Sequence, residues 1–218
     1  MRRVRWVRIV PYALSGCVVF PVGCSKPSTP APAAAAQPAA GMSSSATRVA
    51  GKVAAPPAGI PVIIVLEPKP ARDFPPQTDR PVMDQVSLSF GPPLLFVRTN
   101  QPAEFRNSDD TLHNVHVTHE ETKEPQFNVA IPTGEIYTYT FQRDGFHHVG
   151  CDIHPAMAAE IFASGSPYVT MAEGDGSFAL DDVPPGGYAL TVYAVGKRTQ
   201  RDITVAAGSA TNLNLVIE

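Results

Sequence analysis

Gly145-Phe146-His147-His148-Val149-Gly150-Cys151-Asp152-Ile153-His154-Pro155-Ala156-Met157 reads as a strand running into a loop. Side chains alternate along a strand, so His147, Val149 and Cys151 share one face. That face is expected to meet a core. Past the strand, the loop sets a thiol, an imidazole and a thioether at three-residue intervals: Cys151, His154 and Met157. A second imidazole, His113, lies 38 positions before Cys151 in a strand-like run and is followed by Asn114. A four-residue turn, Asn107-Ser108-Asp109-Asp110, delivers His113 to the sheet end.

Two imidazoles, a thiolate and a weak thioether form the ligand set of a blue-copper centre. Soft sulfur holds Cu(I), and imidazole suits both Cu(I) and Cu(II). Three ligands on one loop and a fourth on a neighbouring strand make a pocket across the end of a β-sandwich. Other readings of these residues remain. A lone Cys is commonly a small buried hydrophobe, and a lone Met is commonly core filler. A Cys151–His113 thiol nucleophile lacks a helix N-terminus to lower the thiol's pKa. A zinc site would take a fourth Cys, His or carboxylate in place of Met157, and Asp152 is close by in the chain.

The Cys-x-x-His-x-x-Met loop with its upstream His-Asn resembles the cupredoxins, above all the plastocyanin and amicyanin branch, over roughly residues 81–164. The resemblance implies one type 1 copper per chain. His113 and His154 would be its imidazole ligands, Cys151 its thiolate and Met157 its long axial ligand. Asn114 would hydrogen-bond across to the Cys loop and hold the two ligand segments together. Two positions depart from the family pattern. His147 and Val149 stand where aromatics are usual, and Ala158-Ala159 where a Gly often follows the Met.

The rest of the chain also reads as all-β. Of 218 residues, 23 are Pro and 16 Gly, and no amphipathic helix of useful length is visible. Short alternating or β-branched runs separated by turn signals indicate sandwiches. The runs are 48–53, 61–66, 85–90, 94–98, 103–106, 114–118, 136–141, 145–150, 159–163, 177–180, 187–192, 201–205 and 211–217.

Residues 169–190 hold a strand, an Asp175-Gly176 turn, a strand, a Pro184-Pro185-Gly186 turn and a strand with Tyr188. This pattern resembles the carboxypeptidase regulatory-like domain, a transthyretin-like β-sandwich without activity of its own. The opening Gly-x-Val and Val-rich strands of that domain are missing just before Val169. They occur far upstream, as Val49-Ala50-Gly51-Lys52-Val53 and Ile60–Leu66. The expected organisation is therefore a discontinuous regulatory-like sandwich, 48–67 with 166–218, carrying the copper-binding domain, 80–164, as an insertion. The simpler alternative is a cupredoxin with an extra N-terminal strand, followed by a partial sandwich.

Four arginines in the first eight residues precede a 15-residue apolar run, Ile9–Gly23. This reads as a secretory signal, 1–23. It is short for a transmembrane helix, which needs about 20 apolar residues. Cys17 and Cys24 each follow small residues, as in a bacterial lipoprotein box, and Cys24 is the favoured lipidation site. Residues 24–47 are rich in Pro, Ala and Ser and read as a disordered tether. Cleavage before Cys24 would remove four arginines and change the formal net charge from −3 to −7, which argues against nucleic-acid binding. Cys151 would then be the only free thiol, with no disulfide possible.

Together these readings imply a bacterial periplasmic protein, membrane-tethered or soluble, that shuttles single electrons. Its redox partner would be a cytochrome c or a dehydrogenase. No substrate-sized catalytic constellation is visible. Two other functions use the same features: a copper carrier or sequestration protein, and an adhesion or scaffold module with a vestigial copper site.

Overall fold

The computed structural model describes residues 47–194, 196–208 and 211–214. The signal segment, the Cys17 and Cys24 positions, all but the last residue of the tether and the end of the 211–217 run lie outside them. The described residues form sixteen strands and no helix.

Nine consecutive strands build one sandwich: β3 (Val82–Val86), β4 (Ser89–Gly91), β5 (Leu94–Arg98), β6 (Pro102–Asn107), β7 (His113–His119), β8 (Pro125–Ile131), β9 (Ile136–Thr140), β10 (Gly145–Gly150) and β11 (Ala158–Ser164). One sheet has the order β5-β11-β10-β7-β8 and the other β4-β3-β6-β9. The β11–β5 and β3–β6 pairs are parallel, so the chain crosses between sheets rather than meandering. The core between the sheets holds Met83, Phe105, Val115, Val117, Phe141, Val149 and Ile161, all fully buried. All but Phe141, which follows β9, come from the inward-facing positions of their strands, as period-2 patterning demands.

The remaining strands are β1 (Thr47–Lys52), β2 (Ile63–Lys69), β12 (Val169–Met171), β13 (Ser177–Val183), β14 (Gly186–Ala194), β15 (Lys197–Val205) and β16 (Thr211–Asn214). They form sheets ordered β13-β1-β16 and β12-β2-β14-β15 over a second core containing Val49, Ile64, Leu66, Tyr188 and Leu190. β2 pairs antiparallel with β14, from Gly187↔Lys69 to Tyr193↔Ile63, and with β12 on its other edge. This sandwich thus takes strands from both sides of the nine-strand unit. The turn before β13 needs a glycine: Gly176 has φ +84°, and a Cβ there would collide with the Val53 carbonyl oxygen.

β2 explains its own composition. Ile63-Ile64-Val65-Leu66 is a continuous apolar run, the pattern of a strand covered on both faces. Ile64 and Leu66 enter the second core, while Ile63 and Val65 face the first sandwich. There they meet Phe146 of β10 and Phe162 of β11. The Phe162 ring lies 4.9 Å from Tyr193 and 5.0 Å from Phe146, both edge-on. The connection between β2 and β3 adds a strap. Phe74 meets Tyr168 of one sandwich at 5.6 Å, and Arg98 of the other lies over its ring at 5.3 Å.

In two places the strands differ in number from the sequence reading. Residues 85–90 form not one strand but β3, a Ser87-Leu88 turn and β4. Ser87 and Leu88 have φ of 53° and 57°, a turn normally marked by Asn or Gly. β8 had no counterpart in the sequence reading. It is a sheet edge that starts on Pro125, and of its inward residues Ile131 is buried while Phe127 and Val129 are only partly so.

Candidate metal centre

The centre sits where β7 begins and β10 ends, on the same rim of the first sandwich. Asn107, at the end of β6, folds the turn that leads to His113. Its amide nitrogen donates to the Thr111 carbonyl (2.8 Å) and the Ile131 carbonyl (2.7 Å). Asp109 in that turn accepts from the backbone N–H of Ser87 (2.5 Å) and of Leu88 (2.9 Å), pinning the β3–β4 turn against it. It also lies 2.8 Å from His113 Nε2. These contacts hold the Asp109 carboxyl below its usual pKa, first through the Leu88 backbone bond and then through His113. A carboxylate on Nε2 fixes the proton there and leaves Nδ1 as the free donor atom. Asp109, which the sequence marks only as a turn residue, thus orients the His113 ring.

His113 is fully buried and Cys151 is 4 % exposed. His113 Nδ1, Cys151 Sγ and His154 Nδ1 form a triangle. The two nitrogens are 2.9 Å apart, and the sulfur is 4.0 Å from one and 3.9 Å from the other. All three atoms lie within 4.8 Å of one another. A metal bonded to sulfur at about 2.3 Å and to nitrogen at about 2.0 Å needs S···N below about 4.3 Å and N···N below about 4.0 Å. The triangle satisfies both conditions, so these residues fit a metal ion.

Asn114 ties the loop to β7. Its carbonyl oxygen accepts from the N–H of Asp152 (2.7 Å) and of Ile153 (3.4 Å) and from the Cys151 thiol (3.3 Å). Its amide donates to Asn128 (2.8 Å) and to the Asp152 carboxylate (3.0 Å). The loop closes on itself through Met157 N–H to the His154 carbonyl (2.9 Å) and Cys151 N–H to the Met157 carbonyl (3.3 Å). Met157 is 2 % exposed and packs in the same apolar cluster as Cys151.

Asp152 is turned to other work. One carboxylate oxygen meets His116 Nδ1 (3.0 Å), and the other accepts from Asn114 and Asn128 (2.7 Å). The His116 and Asn128 bonds lower its pKa. The carboxylate that a zinc site would draw on is therefore committed to anchoring the loop. For the thiol-nucleophile reading, the two residues it needs, Cys151 and His113, are both buried.

The other histidines divide into two groups. His119 and His147 are buried in the first sandwich, ring centroids 4.8 Å apart. His147 Nδ1 lies 3.2 Å from the Gly145 carbonyl and its Nε2 has no partner among the described residues. Burial, then the neighbouring His119, push the His147 pKa down to about 4. His116 and His148 lie on the outer face of the sheet. Sequence parity marks His116 as outward, but its hydrogen bond to the Cys loop had no sequence signal.

Residues 152–218 match the carboxypeptidase regulatory-like domain model. The match begins inside the metal loop and includes β11, which pairs within the first sandwich. Cupredoxins are found among similar solved structures. One is a purple cupredoxin from Nitrosopumilus maritimus, 17 % identical over 38 % of this chain and 99 % of that one, TM-score 0.35. Another is amicyanin from Paracoccus versutus, 17 % identical over 46 % of this chain and 96 % of that one, TM-score 0.36. A third is a Cu-containing nitrite reductase from Thermus scotoductus, 26 % identical over 45 % of this chain but 27 % of that one, TM-score 0.36. No curated protein matches the chain.

Proposed function

We propose that this chain is a type 1 copper protein of the bacterial envelope that carries single electrons between redox partners. The observation that supports it most is the buried triangle of His113, Cys151 and His154, with Met157 in the same apolar cluster. Two imidazoles, a thiolate and a thioether suit copper in both its charge states. Bound there, the ion would gain and lose one electron.

The protein's part is to keep the ligands still while the charge changes. Asp109 fixes one ring, and Asn114 fixes the backbone of the Cys loop. His154 is half-buried, so it is the ligand edge nearest solvent. Apolar side chains are exposed on the loops and turns that build the centre: Ile153 is 47 % exposed, Leu112 48 % and Leu88 54 %. Such a rim favours brief contact with a cytochrome c or a dehydrogenase. The centre would act as a carrier, not a catalyst. Placement in the periplasm, by a lipid on Cys24 or as a soluble protein, belongs to the same proposal.

The test is an optical titration with Cu(II). An intense visible thiolate-to-copper band, bleached by ascorbate and absent in Cys151→Ser, is expected. Weak, colourless copper binding would refute the proposal. Tight Cu(I) retention with slow self-exchange would instead identify a copper carrier.

A further inference from the structure

The outer face of the β7-β10-β11 sheet carries a second set of metal-ligating side chains, on the opposite side of the strands from the buried triangle. In the β10–β7 register Gly150 lies across from His116, and His148 across from Thr118. His116 and His148 are therefore diagonal neighbours on one face, about 7–8 Å apart at the backbone. On the far side of β10, Glu160 of β11 stands directly across from His148. The side chains of His116 and His148 are 37 % and 60 % exposed.

Each ring is held by a carboxylate through Nδ1. For His116 the partner is Asp152 at 3.0 Å, and for His148 it is Glu160 at 3.1 Å. Neither Nε2 has a protein partner among the described residues. An imidazole that donates Nδ1–H to a carboxylate has its Nε2 lone pair free and made more basic, the arrangement found behind metal-bound histidines. Both rings line one groove of about 440 Å³. Its floor is Gly150, above which the space is open: a Cβ built there meets nothing within 4 Å.

We propose that His116 and His148 bind a second divalent ion of the Cu(II)/Zn(II) class through their Nε2 atoms. Asp152 and Glu160 orient the rings, and water completes the coordination. Imidazole pairs prefer these ions over Mg(II) or Ca(II), which take oxygen ligands. The site's ligands include none of His113, Cys151, His154 or Met157, although Cys151 and Met157 also line the groove. It shares Asp152 with the anchoring of the Cys loop, which couples the two sites through one side chain.

The experiment is a Cu(II) titration of the full chain, followed by the visible thiolate band, by EPR and by bound-metal stoichiometry. Two equivalents are expected. The second adds no thiolate band and shows EPR splitting from two nitrogens. His148→Gln keeps the visible band, and His148→Gln and His116→Gln each bind the second equivalent at least tenfold more weakly. Glu160→Gln weakens it by about 10- to 100-fold, as expected for an orienting carboxylate. A single equivalent in the parent, or a second equivalent unchanged in both histidine variants, overturns the proposal. No visible band, with one equivalent lost in His148→Gln, refutes the buried copper centre and leaves this site standing.

Discussion

Asn114→Ala tests whether one amide holds the metal loop. The side chain is almost fully buried and makes three hydrogen bonds of 3.0 Å or less: from Asp152 N–H, to Asn128 and to the Asp152 carboxylate. At about 1 kcal/mol net for each, the variant should lose about 3 kcal/mol of stability. The bond to the carboxylate sits at the upper end of that scale because its acceptor is charged. The assay is urea unfolding of the metal-free chain, in which no ion compensates for the missing amide. Metal affinity, by competition with a chelator, should fall by about 10- to 100-fold, because the Cys151 and His154 ligands then ride on an untethered loop. Asn114→Asp sharpens the test. It keeps an acceptor for Asp152 N–H but sets a second carboxylate beside that of Asp152. It should therefore be nearly as destabilised at neutral pH and recover as the carboxylates protonate. An Asn114→Ala variant within about 0.5 kcal/mol of the parent and with unchanged metal affinity would refute the anchoring argument; such a small shift is the usual effect of a surface change.

Three further perturbations have expected outcomes. Asp109→Asn keeps an acceptor near His113 Nε2 but removes the charge, so chelator competition should show about tenfold weaker metal binding. Phe162→Ala opens a cavity between the sandwiches and should cost about 3–5 kcal/mol in urea unfolding; a smaller loss would mean that the joint is not packed as described. The third concerns pH. His147 has its pKa pushed down to about 4 in the fold, against 6.5 ordinarily. Below pH 6.5 the unfolded chain takes up a proton that the folded chain refuses. Stability is thus full above that value and falls by about 3 kcal/mol on going down to pH 4. His147→Phe should flatten that part of the urea midpoint–pH profile, and an unflattened profile would assign the loss to another group.

The all-β class was legible because strand parity is a local property. Along β10 and into the loop, the alternation puts His147, Val149 and Cys151 inside, while Phe146 on the other face is buried as well, against β2. The ligand types were legible for a similar reason, since three of them share one short loop. What the sequence hid was long-range pairing. Asp109 looks like any turn aspartate until the β3–β4 turn and His113 close around it. Asp152 looks like a spare metal ligand until Asn114, Asn128 and His116 take both of its oxygens. The Ser87-Leu88 turn was hidden because neither residue advertises positive φ, and the long-range Asp109 contacts secure it. His147 occupies a position that its polarity would send to the surface, and only the surrounding aromatic rings explain its burial.

The double-sided burial of β2 also dictates an order of events during synthesis. Ile63–Leu66 is made about 100 residues before its partners β12 and β14. At a translation rate of about 5–20 residues per second, that is a delay of about 5–20 s. The nine strands between them are contiguous and can close their own core in that interval. Their outer face, with Phe146 and Phe162, is then the first apolar surface on which the waiting β2 can rest. The nine-strand sandwich would thus act as a template for the discontinuous one. A charge-free apolar run left unpaired for seconds is also open to self-association while the chain is being made.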